Sequence, residues 1–355
     1  MEKTIIKRQT GEQVEAFAPV IVSASRSTDV PAFYAKWFMD RLKAGYVVWY
    51  NPFNRHPSYV SFERTKAIVF WTKNPAPLLP YLSQLDEMGI DYYFQFTLND
   101  YENEGFEPKV PKLNRRVETF KKLSEIVGSE RIIWRFDPII LTEQLRPHDI
   151  LLRIWHVGSQ LKGYTSKLVF SFVDVKSYRK VQQNLIRDNE CFNKDNVLKA
   201  EPNEKEIEEI CIGLTKIQKR WEALGWHLEL ATCAESVSLE QYGIKHNKCI
   251  DDNLMRKLFF ENKDLMHYLE TGKSVNAALP NQISLFENSP SIIPINPVLL
   301  KDKGQREACG CIISKDIGMY NTCGHLCTYC YANNSRRSVI ENMKKHSLES
   351  ESIID

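Results

Sequence analysis

Short runs of apolar and aromatic residues recur along the chain, most of them separated by stretches with helical spacing of apolar positions. The runs are Val20–Ser25, Ala67–Trp71, Tyr92–Thr97, Arg131–Phe136, Leu168–Val173 and His227–Thr232. Each is nearly continuous in apolar character, as a strand buried on both faces must be; a half-exposed strand would alternate. The amphipathic stretches are Ala32–Lys43, Ala76–Met88, Lys112–Val127, His148–Leu161 and Glu204–Leu224. Thr28-Asp29-Val30-Pro31 precedes the first and Pro202-Asn203 the last, both helix-start signals. Alternating strand and helix predicts a parallel sheet and an α/β fold, either a barrel or a doubly wound open sheet.

The rest of the pattern divides the chain further. Residues 1–18 read as an N-terminal extension and 19–275 as the main α/β domain, with further helices expected over 236–272. Tyr46–Tyr50 reads as an extra strand, since turn-forming residues crowd Asn51–Pro57. Residues 276–306 carry Pro280, Pro290, Pro294 and Pro297 with little periodicity, as an extended connector does. A cysteine-rich segment follows at 307–335, then a charged tail at 336–355 that is expected to fray.

Composition narrows the function classes only moderately. With 355 residues, 43% of them hydrophobic, the chain can bury a large core. A net charge of +2, with both signs interspersed, argues against an extensive nucleic-acid footprint. No run of 18 apolar residues occurs and the first residues are polar, so a cytoplasmic protein without a membrane span is expected. Nine cysteines, clustered toward the C-terminal half, fit ligand thiols better than a disulfide frame.

Three of those cysteines are spaced C-x3-C-x2-C in Cys323-Gly-His-Leu-Cys327-Thr-Tyr-Cys330-Tyr. Three thiolates this close can hold three irons of a [4Fe-4S] cube and leave the fourth iron open. A zinc knuckle is the alternative, completed by His325 or a remote cysteine. The spacing, with its aromatic before the third cysteine, resembles the signature of the radical S-adenosylmethionine (SAM) superfamily. The resemblance covers about residues 320–335; an uncharacterised bacterial family with a C-terminal motif, sometimes compared with spore photoproduct lyase, looks nearest. It implies a [4Fe-4S] cluster on Cys323, Cys327 and Cys330 with Tyr329 beside it, SAM as cofactor, and reductive cleavage of SAM to a 5′-deoxyadenosyl radical. It also implies a partial (β/α)6 TIM-like barrel. In that superfamily the motif usually follows the first strand, whereas here it follows the predicted strands. Ile312–Tyr320 would then be the strand presenting it, either in a permuted barrel or as an arm crossing the barrel mouth.

Ligands of parallel α/β folds bind at the carboxyl ends of the strands. Polar residues gather there: Ser25 to Asp29, Lys73, Gln95, Thr97, Asn99, Arg135, Asp137, Ser171, Asp174, Cys233 and Glu235. Arg135, Asp137 and Lys73 are the catalytic candidates. Gln95, Thr97, Asn99, Ser171 and Tyr329 are the candidates for holding the cofactor, while Asp29 reads equally as a helix N-cap. Cys233, Cys249, Cys309 and Cys311 form a second set expected to hold another Fe-S cluster or a zinc, against the plain reading of Cys233 and Cys249 as small buried hydrophobes.

Gln282-Ile-Ser-Leu-Phe286 resembles the peptide by which repair proteins dock on the sliding clamp. That resemblance and the basic residues Arg336, Arg337, Lys344 and Lys345 lean toward a nucleic-acid substrate or partner. The expectation is a radical SAM enzyme fed by an electron donor such as flavodoxin or ferredoxin. The alternatives are a zinc-stabilised nucleic-acid-binding or scaffold protein without catalysis, and a hydrolytic metal enzyme using Asp137 and Glu235.

Overall fold

The apolar runs form strands close to their expected positions, and their order in space explains why the cysteines meet. The structure, a computed structural model, describes residues 1–233, 235, 237–275 and 300–354; Gln282–Phe286 lies outside them. Its strands are β1 (Lys3–Lys7), β2 (Gln13–Phe17), β3 (Ile21–Ala24), β4 (Tyr46–Tyr50), β5 (Pro57–Ser61), β6 (Ala67–Thr72), β7 (Asp91–Thr97), β8 (Ile132–Ile139), β9 (Lys167–Phe172), β10 (Glu229–Thr232), β11 (Lys245–His246) and β12 (Lys315–Asp316).

Eight of them form one sheet in the order β11-β10-β9-β8-β7-β6-β3-β12. Every neighbouring pair in it is parallel. β12, last in the chain, lies beside β3, first in the sheet, pairing Lys315 with Val22 and Asp316 with Ser23. Of the expected strand Ile312–Tyr320, only these two residues form a ladder.

Strand side chains alternate between faces, and the core divides accordingly. Ile68, Phe70, Phe94, Trp134 and Phe170 pack in one cluster with residues such as Phe38, Phe120 and Ile154 from the flanking helices. Ile21, Ala67, Val69, Tyr93, Ile133, Val169 and Ala231 form the other cluster, covered by Met255, Phe259, Leu265 and Ile312. Continuing each strand of the second face by two or four positions gives Ser23 and Ser25, Trp71 and Lys73, Gln95 and Thr97, Arg135 and Asp137, Ser171, and Cys233. The polar strand-end residues thus stand on one face, above an apolar floor.

Several expectations change. Ala76–Met88 yields only a 3-10 turn at Leu79–Tyr81 and a helix at Leu82–Glu87, because Pro75, Pro77 and Pro80 remove backbone donors. A helix over Arg179–Asp188 was hidden by its charges; it buries only Val181, Asn184 and Leu185. Among the described residues of 236–272, a 3-10 turn at Glu240–Tyr242 and β11 precede the α-helices Asp252–Leu258 and Lys263–Thr271. The N-terminal extension and Tyr46–Tyr50 build a separate sheet, ordered β1-β2-β5-β4.

The tail does not fray. It forms a helix at Arg336–Met343 and docks beyond it. Trp37 Nε1 donates to the Ser350 carbonyl at 2.9 Å, and Val48 N donates to the Glu351 carbonyl at 2.7 Å. Ile353 and Ile354 are buried. Charges in the tail masked these few apolar anchors. Among the described residues no helix is long and apolar enough to cross a membrane.

Candidate cysteine-rich site at the carboxyl ends of the strands

The loop bearing Cys323, Cys327 and Cys330 leaves β12 at its carboxyl end, so it crosses the polar face just described. Its entry is tightly fitted. Asp316 accepts hydrogen bonds from Ser23 Oγ (2.9 Å), Arg26 N (2.7 Å), Ser27 Oγ (3.2 Å) and Gly318 N (2.9 Å). A Cβ at position 318 would fall 1.8 Å from Ser25 Oγ, so only glycine fits there.

Side chains from other elements then fix the loop's path. Tyr34 donates to the Thr322 carbonyl at 2.6 Å, Asn333 to that of Cys323 at 3.1 Å and Asn184 to that of Cys330 at 2.8 Å. Thr328 N donates to the Phe106 carbonyl at 2.9 Å. Leu326 holds a left-handed conformation, φ 56°, which tightens the turn between the first two cysteines.

Within the motif, His325 Nε2 lies 2.8 Å from Asp29 Oδ2, with both side chains buried. Asp29 caps its helix through Ala32 N at 2.9 Å, as expected, while Oδ2 also accepts from Lys73 N at 2.7 Å. His325 is thereby engaged with Asp29, although among the described residues its Nδ1 lacks a partner.

Tyr329 donates its hydroxyl proton to Glu107, a residue that no sequence pattern singled out. Glu107 Oε1 also accepts from Lys73 Nζ at 2.7 Å and Asn99 Nδ2 at 3.0 Å, and Arg116 Nη1 stands 3.6 Å from Oε2. Burial would raise the Glu107 pKa, but Lys73 and Arg116 outweigh it and hold the carboxyl at about 2. Lys73 Nζ donates to Tyr329 Oη as well, at 2.9 Å.

Asn99 links this group to the next strand, accepting from Asp137 N at 2.8 Å and donating to the Asp137 carbonyl at 3.1 Å. Asp137 pairs with Arg135 Nε at 3.0 Å and accepts from Ser171 Oγ. Arg135 Nη1 donates to Gln95 Oε1 at 3.1 Å and to Cys249 Sγ at 3.1 Å. Gln95 Nε2 donates to the Cys249 carbonyl at 2.9 Å. The guanidiniums of Arg26 and Arg135 both lie over the Trp71 ring, 5.5 and 5.3 Å from its centre. Thr97 is half-buried and pairs with Arg135 in the ladder.

Lys73, Gln95, Asn99, Arg135, Asp137, Ser171 and Tyr329 are thus joined by hydrogen bonds or ion pairs beside two sets of thiols. In the motif, burial pushes the Cys323 thiol up to about 12, and it raises Cys327 and Cys330 as well. In the other set, Cys233 Sγ lies 3.2 Å from Cys249 Sγ. Among the described residues, no three His, Cys, Asp or Glu side chains stand around one point as a preformed metal cage. A cleft of about 530 Å³ opens beside the motif, lined by Asn184, Arg187, Leu326, Cys327, Asn333 and Arg336. Another of about 540 Å³, around Asp86, Asp91 and Arg131, is at the amino end of β7, away from the site.

The architecture is α/β, with a parallel sheet whose carboxyl ends carry thiols and paired charges. The chain belongs to the family described as a domain of unknown function, DUF1848, whose model matches residues 21–332. No curated protein matches the chain. Among solved structures it resembles one titled "Structure of D-hydantoinase", at 10% identity over 64% of this chain with a TM-score of 0.25. The match spans 49% of that structure, about half its length. A likeness at that level carries no argument.

Proposed function

We propose that this protein is a radical SAM iron–sulfur enzyme whose cluster is held by Cys323, Cys327 and Cys330. The observation that carries the reading is the place of the motif. It follows β12 directly, at the carboxyl edge of an eight-stranded parallel sheet ordered β12, β3, β6, β7, β8, β9, β10, β11, so β12 takes the position of a first strand although it comes last in the chain. That placement supports the reading of a permuted (β/α)-barrel-like arrangement in which the motif follows the first strand.

The residues present fit such a group. Three thiols lie close enough to perturb one another's ionisation, on a loop pinned from several elements. Lys73, near Cys327, supplies a buried positive charge toward an anionic cluster. When bound, the cluster would supply the electron that cleaves SAM. The chain's own residues supply position and shielding. Tyr329, Glu107 and Lys73 close one side against water, while Asn99, Asp137 and Arg135 hold a charged, oriented wall along the neighbouring strand ends. Gln95 and Ser171 lock that wall by bonding Arg135 and Asp137.

The test is anaerobic reconstitution with iron and sulfide, reduction by dithionite or by flavodoxin or ferredoxin, and measurement of 5′-deoxyadenosine. Wild type should release it; Cys323→Ala, Cys327→Ala and Cys330→Ala should not. A colourless, zinc-loaded protein that leaves SAM intact would overturn the reading in favour of a zinc-stabilised binding protein.

A further inference from the structure

We infer that Cys233, Cys249, Cys309 and Cys311 form a second metal centre, a four-thiolate site separate from the C-x3-C-x2-C motif. The inference rests on geometry at that site and does not require SAM chemistry at the first.

Three separate pieces of chain deliver these thiols to one place. Cys233 directly follows β10, Cys249 follows β11, and Cys309 and Cys311 come from the segment before β12. Cys233 Sγ is 3.2 Å from Cys249 Sγ, and the Cys249, Cys311 and Cys309 thiols lie near enough to influence one another's ionisation. Cys309 is in turn near enough to Cys233 for the two charges to interact.

The backbone around the set is organised for close approach. Ile312 N donates to the Ile250 carbonyl at 3.1 Å, and Ile250 N points at Cys311 Sγ at 3.4 Å. A Cβ on Gly310, between the last two cysteines, would meet Lys248 Cγ at 3.0 Å. A glycine there lets the two segments touch.

The surroundings are those of a thiolate centre rather than of buried apolar cysteines. Arg135 Nη1 donates to Cys249 Sγ at 3.1 Å and Asn247 Nδ2 at 3.3 Å. Arg26 lies beside Cys311 and Cys249, whose charges favour its charged form. Asp137 and Asp316 partly balance the two arginines, and Glu235 also faces Cys233. Even so, guanidiniums directed at sulfur suit a centre carrying about two negative charges, as four thiolates around a divalent metal would. A structural disulfide would need neither arginine.

The thiols are closer together than a bound metal would leave them. Sulfurs about 2.3 Å from a tetrahedral metal stand roughly 3.8 Å apart, so each has to draw back only a fraction of an ångström from the 3.2 Å contact. Loading zinc or a single ferrous ion forms metal–sulfur bonds and releases the thiol protons to solvent, with no change of oxidation state. Thiols this close suit one tetrahedral metal ion rather than a cubane.

The experiment uses the full chain, purified and reconstituted anaerobically, as wild type and as the Cys323→Ala/Cys327→Ala/Cys330→Ala variant. The triple variant should retain about one zinc or about one iron, without sulfide. Elemental analysis and X-ray absorption separate the two, and an all-sulfur first shell is expected in both. Adding Cys311→Ser should abolish retention, while Arg26→Gln should weaken affinity for added zinc or iron about tenfold. If the triple variant precipitates, thiol alkylation of metal-loaded wild type decides, with Cys233, Cys249, Cys309 and Cys311 protected. A folded triple variant without metal would overturn the inference, as would full alkylation of all four cysteines in the loaded wild type or a Cys233–Cys249 disulfide. Wild type that cleaves no SAM yet keeps the all-sulfur centre would sink the radical reading and leave this one standing.

Discussion

The hydroxyl of Tyr329 donates to the carboxylate of Glu107, 222 positions earlier in the chain, and fastens the cysteine loop to the loop that follows β7. The side chain of Glu107 is only 4% exposed, yet two cations and an amide converge on it. The contact therefore joins the motif to the charged wall of the strand ends.

Glu107→Gln should destabilise the protein by about 3–5 kcal/mol, because Lys73 and Arg116 would stay buried without their counter-charge. Tyr329→Phe should lose roughly 1.5–3 kcal/mol, the contribution of one hydrogen bond to a charged group. Urea unfolding of both variants measures this. A Glu107→Gln midpoint equal to that of wild type would show the cluster to be solvent-screened.

The same carboxylate makes stability depend on acid. Its pKa is depressed from 4.5 to about 2 in the folded protein, so its contribution is present above about pH 5 and is lost as pH falls toward 2. That depression corresponds to about 3 kcal/mol. Stability of wild type measured between pH 5 and 2 should fall more steeply than that of Glu107→Gln, and parallel curves would assign the acid sensitivity elsewhere.

Much of this site is legible along the chain once strand parity is respected. Val69-Phe70-Trp71-Thr72-Lys73 and Tyr93-Phe94-Gln95-Phe96-Thr97 show apolar residues giving way to polar ones on one face at the strand's end. Glu107 escaped because it lies in a loop with Asp100, Glu102 and Glu104, and nothing local tells the one buried carboxylate from its neighbours. Asp316 escaped for a related reason. A two-residue strand has no periodicity, and its partner β3 is nearly three hundred positions away. The tail was misread because a few apolar residues among many charges suffice to dock it when a groove already exists. Spacing revealed the first thiol set, and the place of Cys233 at a strand end and of Cys309 and Cys311 before the motif suggested the second, which has no compact spacing of its own.

Gly318→Ala tests the fit between β12 and β3. Its methyl would fall 1.8 Å from Ser25 Oγ, which is held by the Ser27 and Thr28 backbone N–H groups at 3.0 and 3.2 Å. The expected loss is about 1–3 kcal/mol, together with faster loss of motif-bound iron from the reconstituted protein. Ser25→Gly in the same chain removes the nearest obstructing side chain, leaving Ser27 Oγ at 2.6 Å, and should restore part of both. Additive losses in the double variant would place the strain somewhere other than this contact.

Removing residues 345–355 tests the docked tail. Ile353 and Ile354 are 1% and 3% exposed, and burying each contributes roughly 1.5–3 kcal/mol. Ser350 adds the carbonyl that pairs buried Trp37, and Glu351 accepts from Arg8 Nη2 at 2.7 Å and from the Tyr46 hydroxyl. Truncation should therefore lower stability by about 3–6 kcal/mol, expose Trp37 to water and red-shift its fluorescence. Because Tyr34 connects the helix start beside Trp37 to the Thr322 carbonyl at 2.6 Å, the loosening should reach the motif and speed iron release. A truncated chain with wild-type stability would mean that the tail contributes no net binding to the domain, whatever its contacts.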